Sequence, residues 1–345
     1  MIIGHQRILE FLKKCVKNKR LAHAYLFAGS AHLGKKTVAL EFIRMLNGQE
    51  IDQAVHPDIL IIEPEIVEKD GVKKESEIGI DHARKIQHQM SLFPYQAPYK
   101  IALIDQAEKM TAEASNCLLK TLEEPAGKAI LILITAEPRL LLPTIVSRCQ
   151  IVKFLPVAEG EIGKCIQASE SVSKFDLENE RGLTSGVETS LRSRSRGRTS
   201  EVLLERTNLD SLKKIIRMAN GRPGLVIQYL ENPALLQAQA RIINQLEKLL
   251  RADLNERYQY AEVIAKDVPQ ARQILKSWKF WFRDLLLLAL GCSDLVIYDQ
   301  SFQYKDSYSL NKLKNIIQAI KKTDSFLANP SINARLALEV LMLEL

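Results

Sequence analysis

The run Gly29-Ser-Ala-His-Leu-Gly34-Lys35-Lys36-Thr37 carries the most pointed chemistry in this chain. It follows the short apolar run Ala24-Tyr-Leu-Phe-Ala28 and leads into an amphipathic period from Lys35 to Leu46. Strand, glycine-bearing loop and helix in that order are what a phosphate-binding loop requires. Backbone amides and the positive end of the helix would cradle phosphates, and Lys35 would reach the terminal ones. The pattern Gly-x-x-x-x-Gly-Lys-Ser/Thr is met except at its last place. There Lys36 stands where a hydroxyl would hold magnesium, and its ammonium would repel the metal. Thr37 comes one residue late, which turns its side chain about 100° around the helix.

A second cluster departs in the same direction. The apolar run from Lys100 to Ile104 ends in Asp105-Gln106, where an acid in place of Gln106 would orient and polarise an attacking water. A glutamine can hydrogen-bond that water but cannot act as its base. Both departures predict poor hydrolysis of ATP or none. Two readings of the loop then stand side by side: ATP bound without turnover, or a loop that only packs the helix against the sheet. The third cluster, Pro143-Thr-Ile-Val-Ser147-Arg148-Cys149, ends in an exposed Ser-Arg-Cys whose arginine survives. A guanidinium offered to a phosphate held by a neighbouring subunit stabilises transition-state charge, worth about 10³ to 10⁵ in rate. A lone arginine is more often a surface salt bridge, but the surrounding motif favours the functional role.

The elements that must position these residues alternate. Helical spacing runs from Ile8 to Lys17, Ile80 to Met90 and Ala112 to Leu122; buried strands are predicted at 24–28, 59–62, 100–104 and 129–135. Apolar strands separated by helices predict a parallel sheet covered on both faces, whose ligands sit beyond the carboxyl ends of its strands. Gly29, Asp105 and Thr135 stand at such ends.

Composition bounds the rest. The chain has 345 residues, 46% hydrophobic and 26% charged, an ordinary globular mix with room for two or three domains. A net charge of +7 leans toward a phosphate-bearing partner, though the charge is spread along the chain. Five scattered cysteines without a Cys-x-x-Cys pair argue for free thiols in a reducing cytoplasm and against zinc. The opening Met-Ile-Ile-Gly-His-Gln-Arg turns polar too soon for a signal peptide, and the apolar run 284–291 falls far short of a membrane span. A soluble, cytoplasmic protein without a membrane partner is the expectation.

Beyond Pro156 the character changes. Residues near 169–207, including Ser190-Leu-Arg-Ser-Arg-Ser-Arg-Gly-Arg198, hold few large apolar groups and predict a flexible insertion. The arginines there could touch nucleic acid, but such tracts are usually solvated loops. Helical spacing returns from Leu209 to Ala219, stops at Gly221-Arg222-Pro223-Gly224 and restarts through 225–230. The tail from Ala234 to Leu345 reads as helical, with Trp278, Phe280, Trp281 and Phe282 as core or interface anchors.

Taken together, these motifs resemble the delta-prime-like subunits of bacterial DNA polymerase III clamp loaders, within the AAA+ family. The likeness rests on Ile3-Gly4-His5-Gln6, Leu21 to Phe27, the loop from Gly29 to Thr37, His56-Pro57-Asp58 with Ile62-Glu63-Pro64, Tyr99 to Asp105, Leu118 to Pro125 and Leu142 to Cys149. It is dense over residues 1–156 and weaker at 219–230 and 329–345. The resemblance implies an AAA+ P-loop parallel-sheet domain (1–156), a small helical lid domain (157–233) and an all-α collar domain (234–345). It also implies a place in a hetero-pentameric ring with gamma/tau-like motor subunits and a delta-like subunit, which together set a sliding clamp on primed DNA. Contact with clamp and DNA would come through the assembly. In that pattern Arg148 is donated in trans, Thr135 is a sensor beside the nucleotide and Arg222 is the lid sensor. Delta-prime-like members often carry degraded nucleotide motifs, which suits Lys36 and Gln106. The family's four-cysteine zinc module is missing between Leu46 and Val55, so no zinc is expected. The rival reading, an active motor ATPase, would want Ser or Thr at 36 and Glu at 106; a stand-alone nucleic-acid-binding module would want a concentrated basic face.

Overall fold

The computed structural model describes residues 2–48, 56–69, 72–125, 128–167, 212–304, 307–329 and 332–345. The predicted insertion near 169–207 lies outside the described residues. The chain divides into two compact units, Met1–Ile227 and Gln228–Leu345.

In the first unit five parallel strands form one sheet. They are β1 (Ala24–Ala28), β2 (Ile59–Ile62), β5 (Lys100–Ile104), β6 (Ala129–Thr135) and β7 (Gln150–Lys153), in the order β2-β5-β6-β1-β7. A separate antiparallel hairpin joins β3 (Ile66–Lys69) to β4 (Val72–Glu75). Every residue of β1, β5 and β6 is buried. Side chains alternate across a strand, so each of these strands feeds two cores. Leu26, Ile104, Leu131 and Leu133 pack with Ile86 and Met90 of α3 (Ile80–Ser91) and with Leu118 and Leu122 of α4 (Ala112–Glu123). Tyr25, Phe27, Leu103 and Ile132 pack with Leu12 of α1 (Gln6–Lys17) and with Val38, Phe42 and Ile43 of α2 (Lys35–Asn47). The expected α/β arrangement, a parallel sheet covered on both faces, is the one observed.

Strand β7 escaped the sequence reading because it is an edge strand. Only Val152 of its four residues is buried, so it carries no continuous apolar run. It pairs with β1 through Tyr25↔Gln150 and Ala28↔Lys153. The short α5 (Pro143–Val146) precedes it; after it come α6 (Glu159–Gln167), helical residues 212–219 and α7 (Pro223–Glu231).

The second unit is helical, as expected, with α8 (Pro233–Arg251), α9 (Leu254–Ala265), α10 (Val268–Ala289), α11 (Leu310–Leu327) and α12 (Ala334–Glu344). Each starts at a side-chain cap: Asn232, Asp253, Asp267, Ser309 and Asn333 accept from backbone N–H groups of the first turn. Such caps are worth about 0.5–2 kcal/mol apiece. Trp278, Trp281 and Phe282 of α10 are fully buried, which makes them core residues. Among the described residues no helix is long and apolar enough to cross a membrane. All five cysteines are free thiols.

Candidate nucleotide site

Strand β1 delivers the loop to the carboxyl edge of the sheet, and neighbours fix it there. Gly29 N–H donates to the Thr135 carbonyl at 3.2 Å, and Phe154 N–H donates to the Ala28 carbonyl at 2.8 Å. A Cβ on Gly29 would lie 2.5 Å from the Phe154 carbonyl oxygen, so no side chain fits. Gly34 caps α2 with φ 85°, a left-handed conformation natural to glycine. His5 Nε2 lies 2.8 Å from the Leu33 carbonyl, which can only accept, so this nitrogen carries the proton. Burial lowers the His5 pKa, which favours the neutral ring. From the other side Gly224 N–H, in the first turn of α7, donates to the His32 carbonyl at 2.9 Å. The loop is thus held by α1 and α7 together.

Lys35 is buried and folds back on the loop, donating through Nζ to the carbonyls of Gly29 at 2.5 Å and Ser30 at 2.7 Å. Burial draws its pKa down to about 8, against the pull of Glu108 and Asp105. Lys36 turns to the strand ends: its Nζ is 2.7 Å from Glu63 Oε1 and 3.8 Å from Asp105 Oδ2. Burial raises the Asp105 pKa, with Lys36 and the Gln106 N–H, 2.9 Å from Oδ1, pulling the other way. Thr37 is exposed. Thr135 is fully buried, and its Oγ1 accepts from Glu137 N–H at 3.1 Å. Arg222, beside Gly221 at φ 70°, donates through Nε to the Ala219 carbonyl at 2.8 Å. It lies close enough to help lower the His32 pKa, after burial and together with Lys35.

Magnesium does not fit these donors. The ion demands oxygen ligands at about 2.0–2.1 Å in near-octahedral array. The hydroxyl is missing at position 36, and an ammonium sits between the carboxylates of Glu63 and Asp105.

The structure therefore brings Gly29, Gly34, Lys35, Lys36, Asp105 and Thr135 together, with Arg222 near the loop through His32. Arg148 belongs to another cluster. Its Nη1 donates to the Thr144 carbonyl at 2.9 Å and its Nη2 pairs with Glu123 Oε1 at 2.8 Å. Of Ser147-Arg148-Cys149, predicted to be exposed, only Ser147 is; Arg148 and Cys149 are half-buried. The physical reason lies in the pair with Glu123 and in the packing of Cys149 against the core shared by β5, β6 and α4. Burial pushes the Cys149 thiol up to about 12, leaving it inert as a nucleophile.

Three residues gain roles that spacing alone did not give. His5 positions the loop, Glu63 is the principal partner of Lys36, and Asp58 anchors residues 95–97 with both carboxylate oxygens. An acid directly after the apolar strand 59–62, of which only Ile62 is buried, was the available signal for Glu63.

The family described as "DNA polymerase III, delta subunit" matches residues 4–158. The chain is 34% identical over 166 residues to DNA polymerase III subunit delta' of Bacillus subtilis, covering 44% of this chain and 47% of that protein. It is 30% identical over 178 residues to subunit tau of the same organism, covering 49% and 32% respectively. With subunit delta' of Pseudomonas aeruginosa it shares 35% identity over 143 residues, covering 37% and 42%. The chain thus spans less than half the length of each of these relatives. Over residues 4–158 it matches that family's model, and it is similar to the delta-prime and tau subunits of DNA polymerase III named above.

Proposed function

We propose that this chain is a delta-prime-like, noncatalytic subunit of a DNA polymerase III clamp loader, donating Arg148 to a nucleotide held by a neighbouring motor subunit. The observation that carries this reading is the pairing of Lys36 with Glu63 and Asp105, which takes up the acids a hydrolytic metal would need. Gln106 supplies no base for water, so the loop holds ATP without turning it over. Arg148, by contrast, keeps a guanidinium at the protein surface, bonded to its own turn at the Thr144 carbonyl and paired with Glu123 through a weak, partly exposed contact.

In this reading residues 1–156 form the AAA+ domain, 157–233 the lid and 234–345 the collar of a hetero-pentameric ring. Gamma/tau-like motors and a delta-like subunit complete the ring; the sliding clamp and primed DNA are met through the assembly. Thr135 and Arg222 report on the chain's own loop. The protein works in the cytoplasm.

The test is ATP hydrolysis by the purified chain alone and after mixing with the motor subunit, the clamp and primed DNA. No turnover alone, stimulation in the mixture and little effect of Lys35→Ala are the expected results. Turnover by the isolated chain, abolished by Lys35→Ala, would make it a motor ATPase instead.

A further inference from the structure

We propose that the ammonium of Lys36 stands in for the divalent cation of a phosphate-binding loop, so that the loop takes the phosphate chain of a nucleoside triphosphate free of metal. The inference rests on the nucleotide-holding part of the reading above and specifies its ligand. It begins with strand register. Ile62 of β2 pairs with Ile104 of β5, so the residues that follow, Glu63 and Asp105, leave the sheet side by side. Asp105 N–H still donates to the Ile62 carbonyl at 2.9 Å, which fixes that juxtaposition. Two carboxylates at neighbouring strand ends repel one another and call for a cation between them. Lys36 provides it, 2.7 Å from one and 3.8 Å from the other.

The placement of the lysines supports the substitution. The first turn of α2 contains Lys35 and Lys36 and no acid, an arrangement that opposes the helix dipole unless anions meet it. Lys36 has its two carboxylates. Lys35 has neutral carbonyl partners, Gly29 and Ser30, and so keeps its charge for an incoming phosphate. Lys35 and Arg222 both act on His32 at the middle of the loop, so cationic charge converges there from two elements. An oxyanion can exchange places with the loop carbonyls at Lys35 while Lys36 keeps Glu63 and Asp105 from repelling it. A dication added to such a site meets acids already neutralised and a resident positive charge.

Calorimetric titration of the full chain with ATP, in EDTA and in excess magnesium, tests this directly, with Lys36→Thr beside the wild type. The wild type is expected to bind ATP in EDTA with an affinity within about threefold of that in magnesium. Lys36→Thr frees Glu63 and Asp105 and restores a hydroxyl, so it should prefer the magnesium complex by about tenfold or more. Electron paramagnetic resonance with manganese alone gives a readout without nucleotide: Lys36→Thr should acquire a bound manganese that the wild type lacks. Binding by the wild type only with magnesium, binding in neither medium, or no manganese gained by Lys36→Thr would each overturn the proposal. Stimulation of a partner's ATPase is read at Arg148, in the other cluster, so its survival would show that this inference alone had failed.

Discussion

Replacing Asp58 by asparagine should loosen the strands that carry Glu63 and Asp105 while leaving every loop residue in place. Asp58 is 1% exposed and accepts from Tyr95 N–H at 2.7 Å, Gln96 N–H at 2.7 Å and Ala97 N–H at 2.9 Å. It also pairs with Lys100 at 3.2 Å, and Lys100 in turn donates to the Pro57 carbonyl at 3.1 Å. Burial alone would raise the Asp58 pKa. The three N–H groups and the ammonium outweigh it and hold the carboxyl at about 2, against an ordinary 3.8. At 1.36 kcal/mol per pKa unit that difference is about 2 kcal/mol. The folded pKa is depressed, so this stability is present above pH 4 and is lost as pH falls through about 2. Asp58→Asn removes the charge at every pH and strands the Lys100 ammonium, whose side chain is 7% exposed. Breaking a buried pair from one side costs about 3–5 kcal/mol. Trp278 and Trp281, the only tryptophans in the chain, both lie in the second unit, so their fluorescence does not report this loss. Amide exchange of β5 does, and it should accelerate by about two to four powers of ten. The double variant Asp58→Asn/Lys100→Met should recover much of the protection, since removing both charges spares the stranded ion. Exchange in Asp58→Asn within about threefold of wild type would refute the reasoning.

Glu123→Gln releases the partner of Arg148; the pair is 35% and 51% exposed, so the thermal midpoint should move by less than about 1 kcal/mol equivalent. In the reconstituted ring the same variant should change stimulated hydrolysis by no more than about fivefold, whereas a collapse of the rate would make Glu123 part of the trans site. Inorganic triphosphate should bind more weakly as pH rises through about 8, because Lys35 then loses its proton amid the carboxylates of Glu108, Asp105 and Glu63. Titrations at pH 7 and pH 9 with equal affinity would exclude Lys35 as the partner of the anion.

How legible the site was from sequence depended on the sequence distance of its contacts. Strands β1, β5 and β6 announced themselves because burial on both faces writes a continuous apolar run, whereas β7 packs only Val152 inward and left no such trace. The loop's spacing marked Lys35 and the missing hydroxyl. Lys36 nevertheless read as a purely repulsive intruder, because its partner Glu63 lies 27 residues away and meets it only through the register of β2 on β5. The same holds for Asp58 and its clients 37–39 residues on, and for His5 against Leu33. Arg148 was legible as a motif, but its resting partner Glu123, 25 residues earlier, was not. Pairings of this kind are fixed by tertiary geometry, and no local pattern encodes them.

The central claim meets its most direct test in ATP hydrolysis by the reconstituted ring, with wild-type chain, Arg148→Ala and Arg148→Lys compared. If Arg148 acts in trans, Arg148→Ala should assemble normally yet reduce the chain-dependent stimulation to background, a loss within the roughly 10³ to 10⁵ that such arginines supply at one site. Arg148→Lys should rescue little, since a point charge does not reproduce the planar fork. Full stimulation by Arg148→Ala would contradict the account.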